Sequence, residues 1–85
     1  MTWSLEFTRK AQKQLEGLSA KDRVRVVSKL EKLALDSPDC DVRKLRGELN
    51  TYRLRVGSFR ILFEKDGAVL KILVFQIVRR TSTPR

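Results

Sequence analysis

The sequence predicts an α+β domain in which a helical hairpin packs on one face of a small, mostly antiparallel sheet, in the order β-α-α-β-β-β. Short segments with apolar residues at every second position stand at the start and in the last third of the chain. Two stretches between them carry apolar residues at helical spacing. The 85 residues contain no repeat or linker, so residues 1–85 are expected to form a single domain.

The first strand and first helix are predicted from the N-terminal residues. Trp3, Leu5 and Phe7 alternate with polar residues, which is typical of a strand with one buried face. Thr8 follows at once, and its hydroxyl can cap a helix that runs to about Leu18. The chain is therefore expected to turn directly from strand into helix.

A second helix is predicted from about Ala20 to Leu35. Ser19 can cap it, and the proline after Ser37 ends it because the residue before a proline is disfavoured in the helical region. Residues 38–51 are then expected to form a charged connection. This places both helices before the main part of the sheet.

Three further strands are predicted in the last third of the chain. A Gly-Ser pair separates the first two, and Asp66-Gly67 between apolar runs is a strong hairpin signal before the third. The third strand is apolar on both faces, so it is expected in the sheet interior, covered on both sides. Residues 81–85 carry no packing pattern and are expected to form a flexible tail. The three strands are Tyr52–Val56, Phe59–Lys65 and Ala68–Val78.

Composition excludes several classes of protein. The single cysteine, Cys40, cannot form an internal disulfide, which favours a reducing compartment. The absence of histidine excludes histidine-based metal sites, general bases and catalytic triads. No apolar run approaches the ~20 residues of a membrane span. A cytoplasmic protein without cofactor, metal or membrane partner is expected.

The basic residues of the predicted strands suggest a binding surface. Nineteen Lys and Arg against ten Asp and Glu give a net charge of +9, which makes nucleic acid the first partner to consider. Arg53 and Arg55 fall on one face of their strand, and Arg60 follows on the next. Strand arginines often form only a solvated face. Their repetition on successive strands, with Glu64 as the main acid nearby, favours a phosphate-binding role.

Three segments resemble the RelE branch of the RelE/ParE toxin superfamily. They are Lys44-Leu45-Arg46-Gly47, the run from Tyr52 to Phe63 (YRLRVGSFRILF), and Ile77-Val78-Arg79-Arg80. The predicted element order is also that of the superfamily, and the resemblance covers nearly the whole chain.

The resemblance implies a toxin of a toxin–antitoxin pair. Such a toxin is a metal-independent endoribonuclease that cuts messenger RNA in the ribosomal A site, by attack of a 2′-hydroxyl on the adjacent phosphate. The implied partners are a RelB-like antitoxin, messenger RNA and the ribosome. The implied catalytic residues are Arg53, Arg55, Arg60 and Arg80, and the implied RNA-binding residues are Lys44, Arg46 and Arg79.

The sequence departs from the RelE pattern at two positions. No tyrosine follows Arg80, although many RelE toxins carry one there. Arg55 occupies the position that we match to a lysine base of the RelE toxins. Arginine remains protonated in proteins and makes a poor general base. These departures leave the expectation of phosphate binding intact, whereas no side chain is an obvious base for the proton-transfer steps. Two alternatives therefore stay open: a ParE-like inhibitor of DNA gyrase, and an RNA- or ribosome-binding relative without catalysis.

Overall fold

A computed structural model describes residues 2–79 and confirms the predicted α+β class. Two helices pack on one face of a five-stranded mixed sheet, with one strand more than predicted. The predicted tail, residues 81–85, lies outside the described residues. Within residues 2–79, neither helix has the length and apolar content needed to cross a bilayer. The elements are β1 (Ser4–Phe7), α1 (Arg9–Glu16), α2 (Ala20–Ala34), β2 (Asp41–Lys44), β3 (Thr51–Val56), β4 (Phe59–Asp66) and β5 (Lys71–Arg79).

Both helices begin at the predicted capping residues. The Thr8 hydroxyl accepts a hydrogen bond from the Ala11 amide at 3.1 Å, and the Ser19 hydroxyl accepts one from the Asp22 amide at 3.2 Å. Each cap satisfies an amide that has no partner within its helix. The short segment between the two helices fixes the hairpin that covers the sheet.

The sheet has the order β1-β5-β4-β3-β2, so the N-terminal strand lies beside the C-terminal one. β1 pairs with β5 in parallel, and the other three pairings are antiparallel. Leu30 and Val26 of α2 and Ala11 and Leu15 of α1 pack against the apolar residues of the sheet. The strand residues of this core are Leu54, Val56, Phe59, Ile61, Phe63, Ile72, Val74 and Ile77.

The prediction that residues 38–51 form only a connection is wrong, because the strand β2 lies within this segment. All four of its residues are exposed, and Val42 is its single apolar one. An edge strand needs no buried face, so it lacks the alternation by which strands are recognised. β2 is paired with β3 on one side and forms the edge of the sheet.

The two predicted hairpins are present, with one difference in loop length. Gly57 opens the β3–β4 turn at a φ of 56°, a left-handed conformation that suits glycine at the first position of a two-residue loop. The β4–β5 loop is longer than predicted, because β5 begins at Lys71 and not at Ala68. The Asp66 carboxylate accepts a hydrogen bond from the Ala68 amide at 3.0 Å and shapes this loop.

β5 lies in the sheet interior as predicted, but the helices cover only one of its faces. Ile72, Val74 and Ile77 are buried against the helices. The register shifts between Leu62 and Phe63 of β4, which leaves an extra residue in β5 between Val74 and Ile77. Because this bulge changes the alternation, the residues on either side of it do not follow one parity.

Candidate functional site

Four arginines lie together on the face of the sheet opposite the helices, which we call the arginine face: Arg43, Arg53, Arg55 and Arg60. Arg43 of β2 is in register with Arg53 of β3, and Arg55 of β3 is in register with Arg60 of β4. The alternate residues of β3 and β4 are buried against the helices. The strand period of two therefore directs the four arginines to the opposite side.

Arg55 and Arg60 are exposed and stand opposite each other on neighbouring strands. Within the described residues, neither these two nor Arg43 forms an ion pair with an acidic side chain. Directly opposed like charges destabilise a strand pair. Their guanidinium groups can each donate two parallel hydrogen bonds to a phosphate. This pair is thus suited to binding an anion from solution.

Arg53 is buried, unlike its neighbours. The residue is 7% exposed, and its Nη2 lies 3.8 Å from Oδ1 of Asp41, which is beyond hydrogen-bond distance. Its Nη1 is buried and has no hydrogen-bond partner among residues 2–79. Burial lowers the pKa of the Arg53 guanidinium, Arg55 lowers it further, and Asp41 opposes the shift. The Arg53 charge is therefore only partly balanced.

The acid nearest to Arg53 is Asp41, which the sequence analysis did not identify. Asp41 lies on β2 in register with Arg55, so its side chain shares the arginine face. Glu64, the predicted acid, is on the same side of the sheet but pairs with Thr51 at the far end of β3. Asp41 could not be assigned from the sequence because its position depends on β2.

The other end of the open sheet face holds acidic side chains, among them the exposed Glu64 of β4. There Glu6 of β1 forms an ion pair of 4.0 Å with Lys71 of β5. Between the two ends lie the half-buried residues Leu62, Leu73, Gln76 and Val78. The open face therefore has a basic end, a mostly apolar middle and an end that contains acidic residues.

Basic side chains continue around the edge of the arginine face. Arg55 lines a shallow groove of about 520 Å³ together with Arg25, Lys29 and Lys32 of α2. Lys29 and Lys32 are both paired with Asp39, at 3.6 and 3.3 Å. Of the four basic side chains that line this groove, Arg25 and Arg55 therefore have no acidic partner among residues 2–79.

The remaining residues predicted for the site lie elsewhere. Arg79 is in register with Phe59 on the helix side, where its guanidinium stacks 4.7 Å from the Phe59 ring and pairs with Asp22 at 3.4 Å. Lys44 and Arg46 line a separate cavity of about 550 Å³ in the loop before β3. Arg80 lies outside the described residues. The structure thus brings together Arg53, Arg55 and Arg60, and adds Arg43 and Asp41.

The chemistry open to this site is anion binding. Guanidinium groups stay protonated, so they stabilise negative charge and do not act as bases. Among residues 2–79, no three His, Cys, Asp or Glu side chains are grouped as metal ligands. The metal independence expected from the sequence remains a prediction.

The chain is similar in fold to several solved toxin structures. It matches the RelBE2 toxin–antitoxin complex of Mycobacterium tuberculosis at 22% identity and a TM-score of 0.82, over 94% of this chain and 100% of that chain. It matches the isolated RelE toxin of Escherichia coli at 22% identity and a TM-score of 0.81, over 95% and 87% of the two chains. The archaeal RelE–RelB complex of Pyrococcus horikoshii gives 22% identity and a TM-score of 0.81, over 98% and 100%.

These matches show the fold, and the family follows from a sequence model. No curated protein sequence matches the chain. The family model described as the ParE toxin of type II toxin–antitoxin systems matches residues 5–82, which is nearly the whole chain. The chain therefore belongs to the ParE toxin family of type II toxin–antitoxin systems, within the RelE/ParE superfamily, and it has the fold of RelE toxins.

Proposed function

We propose that this toxin cuts messenger RNA on the ribosome and that the arginine face binds the scissile phosphate. The observation that carries the proposal is the pair Arg55 and Arg60, exposed, opposed on neighbouring strands and without an acidic partner in the described part of the chain. Their unpaired charge is available to a phosphate, because no acidic partner has to be displaced. Arg80, predicted from the sequence, belongs to the proposed catalytic set with Arg53, Arg55 and Arg60.

The proposed reaction is an in-line transesterification. The 2′-oxygen forms a bond to the neighbouring phosphorus while the bond from phosphorus to the 5′-oxygen breaks. The 2′-hydroxyl loses its proton, the 5′-oxygen gains one, and the products carry a 2′,3′-cyclic phosphate and a 5′-hydroxyl. Arg55 and Arg60 would stabilise the charge of the pentacovalent transition state.

The ribosome has a specific role in this proposal. The guanidinium groups of the arginine face are protonated donors and cannot take the proton of the 2′-hydroxyl, so proton transfer gains little from them. Alignment of the 2′-hydroxyl with the phosphate must supply much of the rate, and a ribosome-bound codon can be held in that geometry. We therefore expect very slow cleavage of naked RNA.

The proposed partner in the cell is a RelB-like antitoxin. The structures that this chain resembles in Mycobacterium tuberculosis and Pyrococcus horikoshii are complexes of a toxin with its antitoxin. A segment with acidic residues would neutralise the arginine face and cover the apolar middle of the open sheet. Co-expression with the product of a neighbouring small reading frame should raise the melting temperature of the toxin.

The test uses purified toxin and ribosomes programmed with a defined messenger RNA. Cleavage within the A-site codon, ending in a 2′,3′-cyclic phosphate and unaffected by a chelator that leaves the ribosomes intact, would support the proposal. Rapid cleavage of naked RNA, or a strict need for added metal, would contradict it. Ribosome binding without cleavage would favour the non-catalytic alternative.

A second candidate function is inhibition of DNA gyrase. It is favoured by the ParE name of the matching family model. The short first helix, Arg9–Glu16, favours RelE, because ParE-like toxins tend to have a longer helical hairpin. A supercoiling assay with purified gyrase separates the two, since only a ParE-like toxin should inhibit the enzyme and trap gyrase–DNA adducts.

A further inference from the structure

The arginine face contains one acidic side chain beside its buried arginine. Asp41 is in register with Arg55, and its Oδ1 lies 3.8 Å from Nη2 of Arg53. The two side chains differ sharply in exposure, at 57% for Asp41 and 9% for Arg53. A half-exposed carboxylate thus faces a buried guanidinium across the edge of the sheet.

The surroundings of Arg53 do not fully balance its charge or satisfy its hydrogen-bond donors. A buried charge is costly unless it is paired and hydrogen-bonded, and Nη1 of Arg53 has no hydrogen-bond partner within residues 2–79. Arg43 and Arg55 add like charges beside it. One carboxylate at 3.8 Å balances part of this charge and leaves hydrogen-bonding capacity unused.

A phosphate and the Asp41 carboxylate would both balance the positive charge of Arg53. A phosphate has more acceptor oxygens than a carboxylate and can bridge neighbouring guanidinium groups. Asp41 lies on an edge strand whose four residues are exposed, so its side chain can turn toward solvent without losing buried contacts. Exchange of one anion for the other therefore requires no change in the core.

We infer that Asp41 is an internal counter-ion of Arg53, which balances the arginine face of the free protein and competes with the phosphate of bound RNA. The RNA part of this inference rests on the proposed function. Asp41 makes the cluster of arginines compatible with folding and at the same time limits its affinity for RNA. In this role Asp41 is a counter-ion and not a catalytic residue.

The first test compares two variants that each remove one carboxylate. Asp41→Asn should bind a labelled single-stranded RNA about two- to fivefold more tightly than the wild type, the range expected for loss of a half-exposed ion pair. Glu6→Gln is the matched control. Glu6 has 56% side-chain exposure and an ion pair of 4.0 Å, on the same sheet face but at the opposite edge.

The outcomes of the binding test are distinct. Tighter binding by Asp41→Asn, with Glu6→Gln and Asp41→Glu close to the wild type, supports the inference. Weaker binding by Asp41→Asn would mean that Asp41 holds Arg53 in position for RNA without competing, and would overturn it. An equal gain in affinity for Glu6→Gln would show that the effect comes from net charge alone, and this would also overturn the inference.

The second test uses inorganic phosphate and needs no RNA. Melting temperatures are compared in phosphate and in chloride at equal ionic strength. The gain from phosphate should be larger for Asp41→Asn than for the wild type or Glu6→Gln, because phosphate replaces the missing carboxylate. General stabilisation by phosphate acts on all three proteins alike. An equal gain in all three would contradict the inference.

Folding of the variant is itself informative. If Asp41→Asn is unfolded in chloride, phosphate should restore the folded state. A variant that stays unfolded in both salts would show that Asp41 has a role no anion replaces, and would overturn the inference. If the wild type binds no RNA, the proposed function fails, whereas the phosphate test still decides whether Asp41 is a counter-ion.

Discussion

The two faces of β3 have opposite properties. On the helix side, Leu54 is fully buried and Val56 is 5% exposed, both packed in the core. On the other side, Arg53 is buried but incompletely paired, and Arg55 is exposed without an acidic partner among residues 2–79. One strand can thus contribute to stability through one face and leave its other face free to bind a ligand. Substitutions on the two faces should therefore affect different measurements.

The largest expected effect on stability is on the helix side. Leu54→Ala should lower the free energy of unfolding by about 2–5 kcal/mol, because it removes buried methyl groups and leaves a cavity. Chemical denaturation of the purified protein measures this loss. A change below about 1 kcal/mol would mean that this face does not dominate stability.

Arg53→Met should raise the free energy of unfolding slightly or leave it unchanged, in contrast to Leu54→Ala. Replacing a buried, incompletely paired cation with an apolar side chain of similar length is often neutral or stabilising, here by up to about 1 kcal/mol. Binding to RNA should nevertheless weaken, because a guanidinium is lost from the arginine face. Denaturation and RNA titration of the same sample give both values. A strongly destabilised variant would place Arg53 with the structural residues.

Arg55→Ala and Arg60→Ala should leave stability within about 0.5 kcal/mol of the wild type, because both side chains are exposed and form no ion pair among residues 2–79. Thermal unfolding measures this. Either substitution should reduce the dependence of RNA binding on salt, by about one phosphate contact in the logarithmic slope. An unchanged slope would count against a phosphate contact at that residue.

The smallest change in stability should come from removing the acid of an exposed ion-pair cluster, Asp39 with Lys29 and Lys32. A hydrogen bond from Lys32, together with the charge of Lys29, holds the pKa of Asp39 below its ordinary value. The stability that the ionised Asp39 contributes is therefore fully present above the ordinary Asp pKa of about 3.9. It is lost as the pH falls through the lower pKa of Asp39 in the folded protein. Asp39→Asn should be slightly less stable than the wild type near pH 7, and the difference should vanish in acid. A difference that persists in acid would exclude this pair as its cause.

The sequence predicted the elements whose side chains alternate. The pattern from Tyr52 to Val56 located both faces of β3, and the caps at Thr8 and Ser19 located both helices. β2 was missed because an exposed edge strand needs no apolar face. The position of Asp41 was missed for the same reason, since only pairing with β3 brings it to Arg53.

The position of Arg79 could not be predicted because it depends on a bulge. With strict alternation from Ile72 and Val74, Arg79 would lie on the arginine face. The extra residue of β5 shifts the alternation, so Ile77 and Arg79 lie on the helix side. A bulge depends on the pairing between strands and leaves no mark in the hydrophobic pattern.

The most direct test of the central claim is cleavage on programmed ribosomes by Arg60→Ala and Arg9→Ala. Each variant loses one exposed guanidinium, but Arg9 lies on α1, on the opposite side of the sheet. Arg60→Ala should stay folded and lose most of its cleavage rate, and Arg9→Ala should cleave like the wild type. Equal cleavage by both variants, or unfolding of Arg60→Ala, would contradict a role of the arginine face in binding the scissile phosphate.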